Sequence, residues 1–196
     1  MVEIRFAKDT DAGKILDIYA PYITFTTVTF ECSVPTIFEM QRRINTISQK
    51  YPYLVCETDG VIAGYAYASE FFKRQAFSWD AELSVYINKD YFRHNVASAL
   101  YYAVIELLKL QNYRNVYAKI AVPNEGSEGF HKAFGFSLAG KLSNTGYKLG
   151  TWIDLAIYEK HLTENFSAPP ELVPISEIKC KKYKKIFESA QKILKI

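Results

Sequence analysis

The chain has 196 residues, 49% hydrophobic and 15% aromatic, with a formal net charge of +3, a balance that predicts one ordinary globular domain with a true core and excludes a disordered chain. Its first residues, MVEIRFAKDTDAGK, carry charge where a secretory signal needs an apolar run, and no apolar stretch approaches the roughly 18 residues of a membrane span, so the expectation is a cytoplasmic protein without a membrane partner. Residues 1–162 are charge-balanced and the excess of lysine lies beyond them, which argues against a chain-wide nucleic-acid surface; Cys32, Cys56 and Cys180 lack paired or ligand-like spacing, so neither a disulfide nor a metal site is expected.

In chain order, Val2 to Ala7 alternates as a short strand. Asp9-Thr-Asp11 then offers capping side chains to a helix carrying Ile15, Leu16, Ile18 and Tyr19. Thr24 to Glu31 (TFTTVTFE) is rich in β-branched and aromatic residues, but it follows Pro21 and reads as loop as easily as strand. Thr36-Ile-Phe-Glu39 predicts a capping box for a helix running to about Lys50. Tyr53 to Glu57 and Val61 to Phe71 flank Asp59-Gly60, a hairpin signal because glycine takes the positive φ of the turn. Trp79 to Ile87 is a further strand, Val96 to Leu110 a helix, and Asn115 to Val122 a strand. Ser127 to Phe134 reads as a short helix closed by Gly135, and Trp152 to Leu162 as the last strand.

Helices that interrupt a sheet beginning with antiparallel hairpins make a mixed α/β (α+β) domain. Residues 163–175 (TENFSAPPELVPI) carry three prolines and read as a linker. Beyond it, Ile178, Tyr183, Ile186, Phe187, Ala190, Ile193 and Leu194 form an apolar stripe on a lysine-rich helix, predicted to dock on its own domain or on a second copy. The division expected is thus a domain over 1–162 and an appended linker and helix over 163–196.

Residues 84–100 run strand (SVYI), turn (NKDYFRHN), helix (VASALYYAVIELL). Free N–H groups at such a helix start bind phosphate without needing a particular side chain. Phosphate-binding turns are usually rich in glycine, and this one has none.

The residues here and downstream resemble the GNAT acetyltransferase superfamily in its phosphinothricin acetyltransferase-like branch, over about residues 3–162. The resemblance is carried by Thr26-Thr-Val-Thr-Phe-Glu31, Glu82-Leu-Ser-Val-Tyr-Ile87, Asn124-x-x-Ser127-x-x-Phe130-His131-x-x-x-Gly135-Phe136 and Gly146-Tyr-Lys-x-Gly150-x-Trp152-x-Asp154. It implies the GNAT fold, a mostly antiparallel central sheet flanked by helices, with acetyl-CoA as co-substrate, no metal, and commonly a homodimer. The family's pyrophosphate loop, Gln/Arg-x-x-Gly-x-Gly/Ala, here reads Phe92-Arg-His-Asn95-Val-Ala97. Asparagine is the residue after glycine that most readily turns left-handed, so the amides of Asn95, Val96, Ala97 and Ser98 are expected to face the pyrophosphate, with Arg93 and His94 as nearby positive or donor groups.

Residue by residue, the resemblance makes Glu82 the general base. A carboxylate beside Trp79 and Leu83 is suited to take the amine's proton directly or through water, although a solvent-facing edge carboxylate is the plain alternative. His131 falls where the family places the group that protonates the departing thiolate, as acid or alternative base; a helix histidine is otherwise packed or solvated. Backbone groups of Val85, Tyr86 and Ile87 would hold the pantetheine arm and polarise the thioester oxygen, with Asn124 and Ser127 beside it. Arg74 would take an acceptor carboxylate, with Phe30, Tyr86 and Lys148 lining the pocket. The function implied is acetyl transfer to the α-amine of a small amino-acid-like substrate of phosphinothricin or methionine sulfoximine type. The alternatives are another amine, such as a polyamine or protein N-terminus, or a non-catalytic acyl-CoA or partner-binding module.

Overall fold

The structure, a computed structural model, describes residues 2–164 and 167–196; Asn165 and Phe166 of the predicted linker lie outside the described residues. Seven strands form one sheet in the order β1-β2-β3-β4-β5-β7-β6. They are β1 (Val2–Phe6), β2 (Tyr53–Thr58), β3 (Val61–Glu70), β4 (Asp80–Ile87), β5 (Asn115–Val122), β6 (Ser137–Lys148) and β7 (Thr151–His161). Every neighbouring pair is antiparallel except β4 and β5. The mixed fold with a mostly antiparallel sheet is the one the sequence predicts.

Helices cover both faces. Helix α1 (Ala12–Phe25) and helix α2 (Ile37–Ser48) bury Ile15, Ile23, Met40 and Ile44 against Val55 and Tyr65 of the sheet. The Thr36 hydroxyl caps α2 by accepting from Glu39 N at 3.1 Å, but the Glu39 carboxylate turns to Arg43, so only half of the predicted capping box forms. On the other face lies helix α3 (Val96–Leu110), over the boundaries its periodicity predicts, burying Leu100, Tyr101, Leu107 and Leu108. Short helix α4 (Glu125–Ala133) ends at Gly135, whose φ of +79° is the left-handed stop expected there. Asp59 (φ 49°) and Gly60 (φ 82°) form the predicted turn between β2 and β3.

Two elements differ from expectation. The sequence reading places no strand between Gly135 and Trp152, yet β6 fills it. Its residues are largely exposed on both faces and two register shifts break its ladder, so it has no alternating pattern to read. The second is the start of TFTTVTFE: Thr24 and Phe25 complete α1 despite Pro21, while from Thr26 the segment is loop, one of the two readings its sequence allows, and there Thr26 Oγ1 donates to Tyr22 O and accepts from Val28 N.

Helix α5 (Cys180–Gln191) docks on α3 and β1. Phe187 and Ala190 are buried, and the Tyr183 and Phe187 rings meet Phe6 edge-on at 5.2 and 5.3 Å. Burying one such phenyl ring stabilises by about 1.5–3 kcal/mol. The described part of the linker is strapped down as well: Trp79 Nε1 donates to Pro170 O at 2.9 Å, and Gln111 and Val173 exchange two hydrogen bonds.

Candidate active site

The site begins where the sheet opens. Strands β4 and β5 pair through three residues only, ending at Glu82 opposite Tyr117. Beyond that point they part, while the other edge of β4 stays paired to β3 as far as Ile87. The β4 edge facing the gap therefore keeps backbone N–H and C=O groups without a sheet partner, which is what an extended amide-containing ligand pairs with. A cavity of about 70 Å³ lies in the gap, walled by Val85 and Tyr86 of β4, Lys119 of β5, and Asn124, Ser127 and His131 at α4. The Ile87 carbonyl is already taken by the Tyr22 hydroxyl at 2.7 Å, so β4 has less to offer at Ile87 than expected.

Glu82 stands at the vertex of the gap. Lys119 Nζ donates to its carboxylate at 2.7 Å and lies 5.0 Å from the centre of the Phe71 ring, itself stacked on Tyr117. Sequence reasoning missed Lys119, because only the β4–β5 register brings it to Glu82.

His131 is buried among Tyr101, Phe130 and Phe136. A carbonyl can only accept, so the 2.7 Å contact with Ser127 O places the imidazole proton on Nδ1, and Nε2 accepts from the Tyr101 hydroxyl at 2.9 Å. Burial lowers its pKa from the usual histidine value, outweighing the Ser127 carbonyl, which raises it. The ring is thus neutral at pH 7 with both nitrogens engaged. Asn124 caps α4 by accepting from Ser127 N at 3.1 Å, and so serves the helix as well as the cavity wall.

The glycine-free turn is built as the sequence predicts at Asn95, which is left-handed at φ 59°, ψ 16°. Arg93 is left-handed too, at φ 66°, which was not expected. The Asn95 side chain does not cap α3. The helix start at Val96, Ala97 and Ser98 thus keeps its orphan N–H groups for a ligand.

The three remaining predicted residues lie apart from this cavity. Arg74 is exposed at the start of a 3-10 turn (Gln75–Phe77). The Phe30 ring presses on Gly146, where an added Cβ would collide with it, so this glycine serves close approach. Lys148 is buried and donates to Thr29 O at 2.7 Å, and burial lowers its pKa. Its ammonium ties β6 to the loop carrying Phe30, where the sequence reading expected it to face the acceptor.

A larger cavity of about 490 Å³ lies between α1, the β2–β3 turn and Ile87 to Phe92; neither it nor the smaller cavity is lined by Glu82 or by the start of α3. Among the described residues no three of His, Cys, Asp and Glu gather as a metal would require. No helix among them is long and apolar enough to cross a membrane.

Comparison with known proteins agrees with this geometry. The acetyltransferase (GNAT) domain family model matches residues 4–157. A phosphinothricin N-acetyltransferase of Streptomyces viridochromogenes is 34% identical over 90% of this chain and 96% of its own. An L-methionine sulfoximine/L-methionine sulfone acetyltransferase of Pseudomonas aeruginosa is 30% identical over 85% of this chain and 98% of its own. Among solved structures, a GNAT phosphinothricin acetyltransferase of Sinorhizobium meliloti in complex with acetyl-CoA superposes with a TM-score of 0.83 at 31% identity, covering 89% of this chain and 97% of that one. With an opened sheet edge and a free helix start suited to an amide arm and a pyrophosphate, the chain belongs to the GNAT acetyltransferase family, as an acetyl-CoA-dependent N-acetyltransferase.

Proposed function

We propose that the acceptor is the α-amine of a small amino-acid-like substrate of the phosphinothricin or methionine sulfoximine type, acetylated by direct attack in a ternary complex. The observation that carries this reading is Glu82 at the vertex of the β4–β5 gap, where a base must stand if the amine approaches along the open strand edge. The names of the two relatives above supply the substrate class.

Acetyl-CoA supplies the activated acetyl group. Glu82 takes one proton of the incoming ammonium, directly or through water, with Lys119 fixing the orientation of its carboxylate; the neutral amine then attacks the thioester carbon, the C–S bond breaks as the C–N bond forms, and the second amine proton passes to the departing CoA thiolate. The open N–H group of β4 at Val85 favours negative charge building on the acetyl oxygen, whereas Tyr86 spends its backbone groups on Tyr65 of β3. The amides of Asn95 to Ser98 hold the pyrophosphate, with Arg93 and His94 flanking it. Asn124 and Ser127 border the pantetheine arm. Arg74 meets the acceptor carboxylate and Phe30 forms a wall, while Lys148 acts through Thr29 by fixing the Phe30 loop.

The neutral, doubly engaged ring of His131 supports a positioning role better than an acid role. It ties the first turn of α4 to Tyr101 of α3 across the cavity wall.

The test is release of free CoA from acetyl-CoA with phosphinothricin, methionine sulfoximine, a panel of amino acids, and polyamines. Turnover is expected on the first two or on a related amino acid; turnover confined to polyamines would overturn the substrate class.

We further propose a homodimer closed by the outer hairpin. Strand β6 is an edge strand, and Leu142, Tyr147, Leu149 and Trp152 of β6–β7 are each at least half exposed. An apolar edge of this length invites a second copy. Sedimentation should give twice the chain mass, and Trp152→Glu should return it to one; a monomeric parent protein would sink the idea.

A further inference from the structure

The turn before α3 is held from outside by the tail after α5. Lys195 N donates to His94 O at 3.0 Å, and His94 Nδ1 lies 3.2 Å from Lys195 O. Asn95 Nδ2 donates to Ile193 O at 3.1 Å. These contacts join positions about a hundred residues apart in sequence. The tail is itself anchored, because Ile193 and Leu194 pack on the main core and Gln191 Nε2 donates to Val2 O.

We propose that residues 193–195 are a brace that holds the pyrophosphate loop in its binding conformation, and that His94 and Asn95 are the loop's half of that brace. The proposal rests on the reading of Asn95 to Ser98 as the pyrophosphate site. Two non-glycine residues, Arg93 and Asn95, are left-handed here, a backbone state that L-residues other than glycine adopt at an energetic disadvantage. A glycine loop takes that shape without help; this loop takes it with side chains and backbone bonded to the tail. With its Nδ2 donating to Ile193 O, the Asn95 side chain is turned so that its Oδ1 makes no cap on the orphan N–H groups at the start of α3, the same donors a phosphate uses. His94 and Asn95 are therefore positioning residues, and so is the tail that they grip.

The experiment compares the full chain with one ending at Lys192, which retains the buried Phe187 and Ala190 of α5. Two acetyl donors are used, acetyl-CoA and S-acetylpantetheine, which lacks the pyrophosphate. In the shortened chain the KM for acetyl-CoA is expected to rise about tenfold, the loss of a few hydrogen bonds, with kcat nearly unchanged and kcat/KM for acetylpantetheine unaffected. Asn95→Gly in the shortened chain should recover much of the lost affinity, since glycine adopts φ near +59° unaided. Equal losses on both donors, no loss on either, or no recovery by glycine would overturn the brace.

Ala97→Glu in the full chain separates the two claims. A carboxylate at the helix start repels a pyrophosphate, so acetyl-CoA should lose about a hundredfold in affinity while acetylpantetheine does not. If Ala97→Glu harms neither donor, the pyrophosphate site itself is misplaced and the brace falls with it; if it harms acetyl-CoA and the shortened chain does not, only the brace falls.

Discussion

Glu82→Gln is expected to lower kcat about a hundredfold or more, the usual contribution of one positioned base, with the affinity for acetyl-CoA preserved. Glutamine keeps the size of the side chain and can still accept from Lys119 Nζ, which is 2.7 Å from the carboxylate, so the vertex of the gap should keep its shape. What the substitution removes is the capacity to take up a proton. The loss should therefore fall on the chemical step, and turnover should partly return at high pH, where the acceptor amine sheds its proton unaided. Lys119→Met provides the contrast. It frees the Glu82 carboxylate without removing it, so its effect on kcat should be much smaller. Steady-state kinetics with calorimetric titration of acetyl-CoA reads both quantities. Unchanged turnover in Glu82→Gln would take the base role away from Glu82, and lost cofactor affinity would make the residue structural.

The parts of this molecule that its sequence made legible are those governed by local rules. Helix α3 runs from Val96 to Leu110, as its apolar spacing predicts, and Asn95 is left-handed because asparagine tolerates that state. The Asp59-Gly60 turn and the Gly135 stop follow from φ preferences alone. What stayed hidden depends on contacts between distant segments. Strand β6 carries no period of two because neither face is buried. Lys119 meets Glu82 only through the parallel register of β4 and β5, which no local pattern encodes. Lys148 read as a residue lining the acceptor pocket, yet its ammonium is bound to a carbonyl 119 positions away. The absence of glycine from the turn before α3 was visible at once; the tail residues Ile193 and Lys195 that bond to that turn lie about a hundred residues downstream.

Gly64→Ala is expected to destabilise the protein by about 2 kcal/mol or more, as overpacking of a filled interior does, and to lower Tm by about 4–8 °C in a chain of this size. A Cβ at Gly64 would stand 2.6 Å from Ile87 Cδ1, 2.9 Å from the Tyr86 carbonyl oxygen and 3.2 Å from Val96 Cγ1. The isoleucine tip can swing aside, but the Tyr86 oxygen is backbone and moves only if β4 moves. Val96 is the first residue of α3. The strain therefore spreads into the strand edge and helix start assigned above to the pantetheine arm and the pyrophosphate, and the KM for acetyl-CoA should rise with the fall in Tm. Gly140→Ala in β6 is the matched control, since a Cβ there meets nothing within 4 Å. It should change stability by no more than about 0.5 kcal/mol, because reduced freedom of the unfolded chain is the main thing it alters. Thermal unfolding of the two variants beside the parent decides the matter: equal shifts would mean that generic glycine replacement in a strand, and not the close approach of β3 to Tyr86, governs the response.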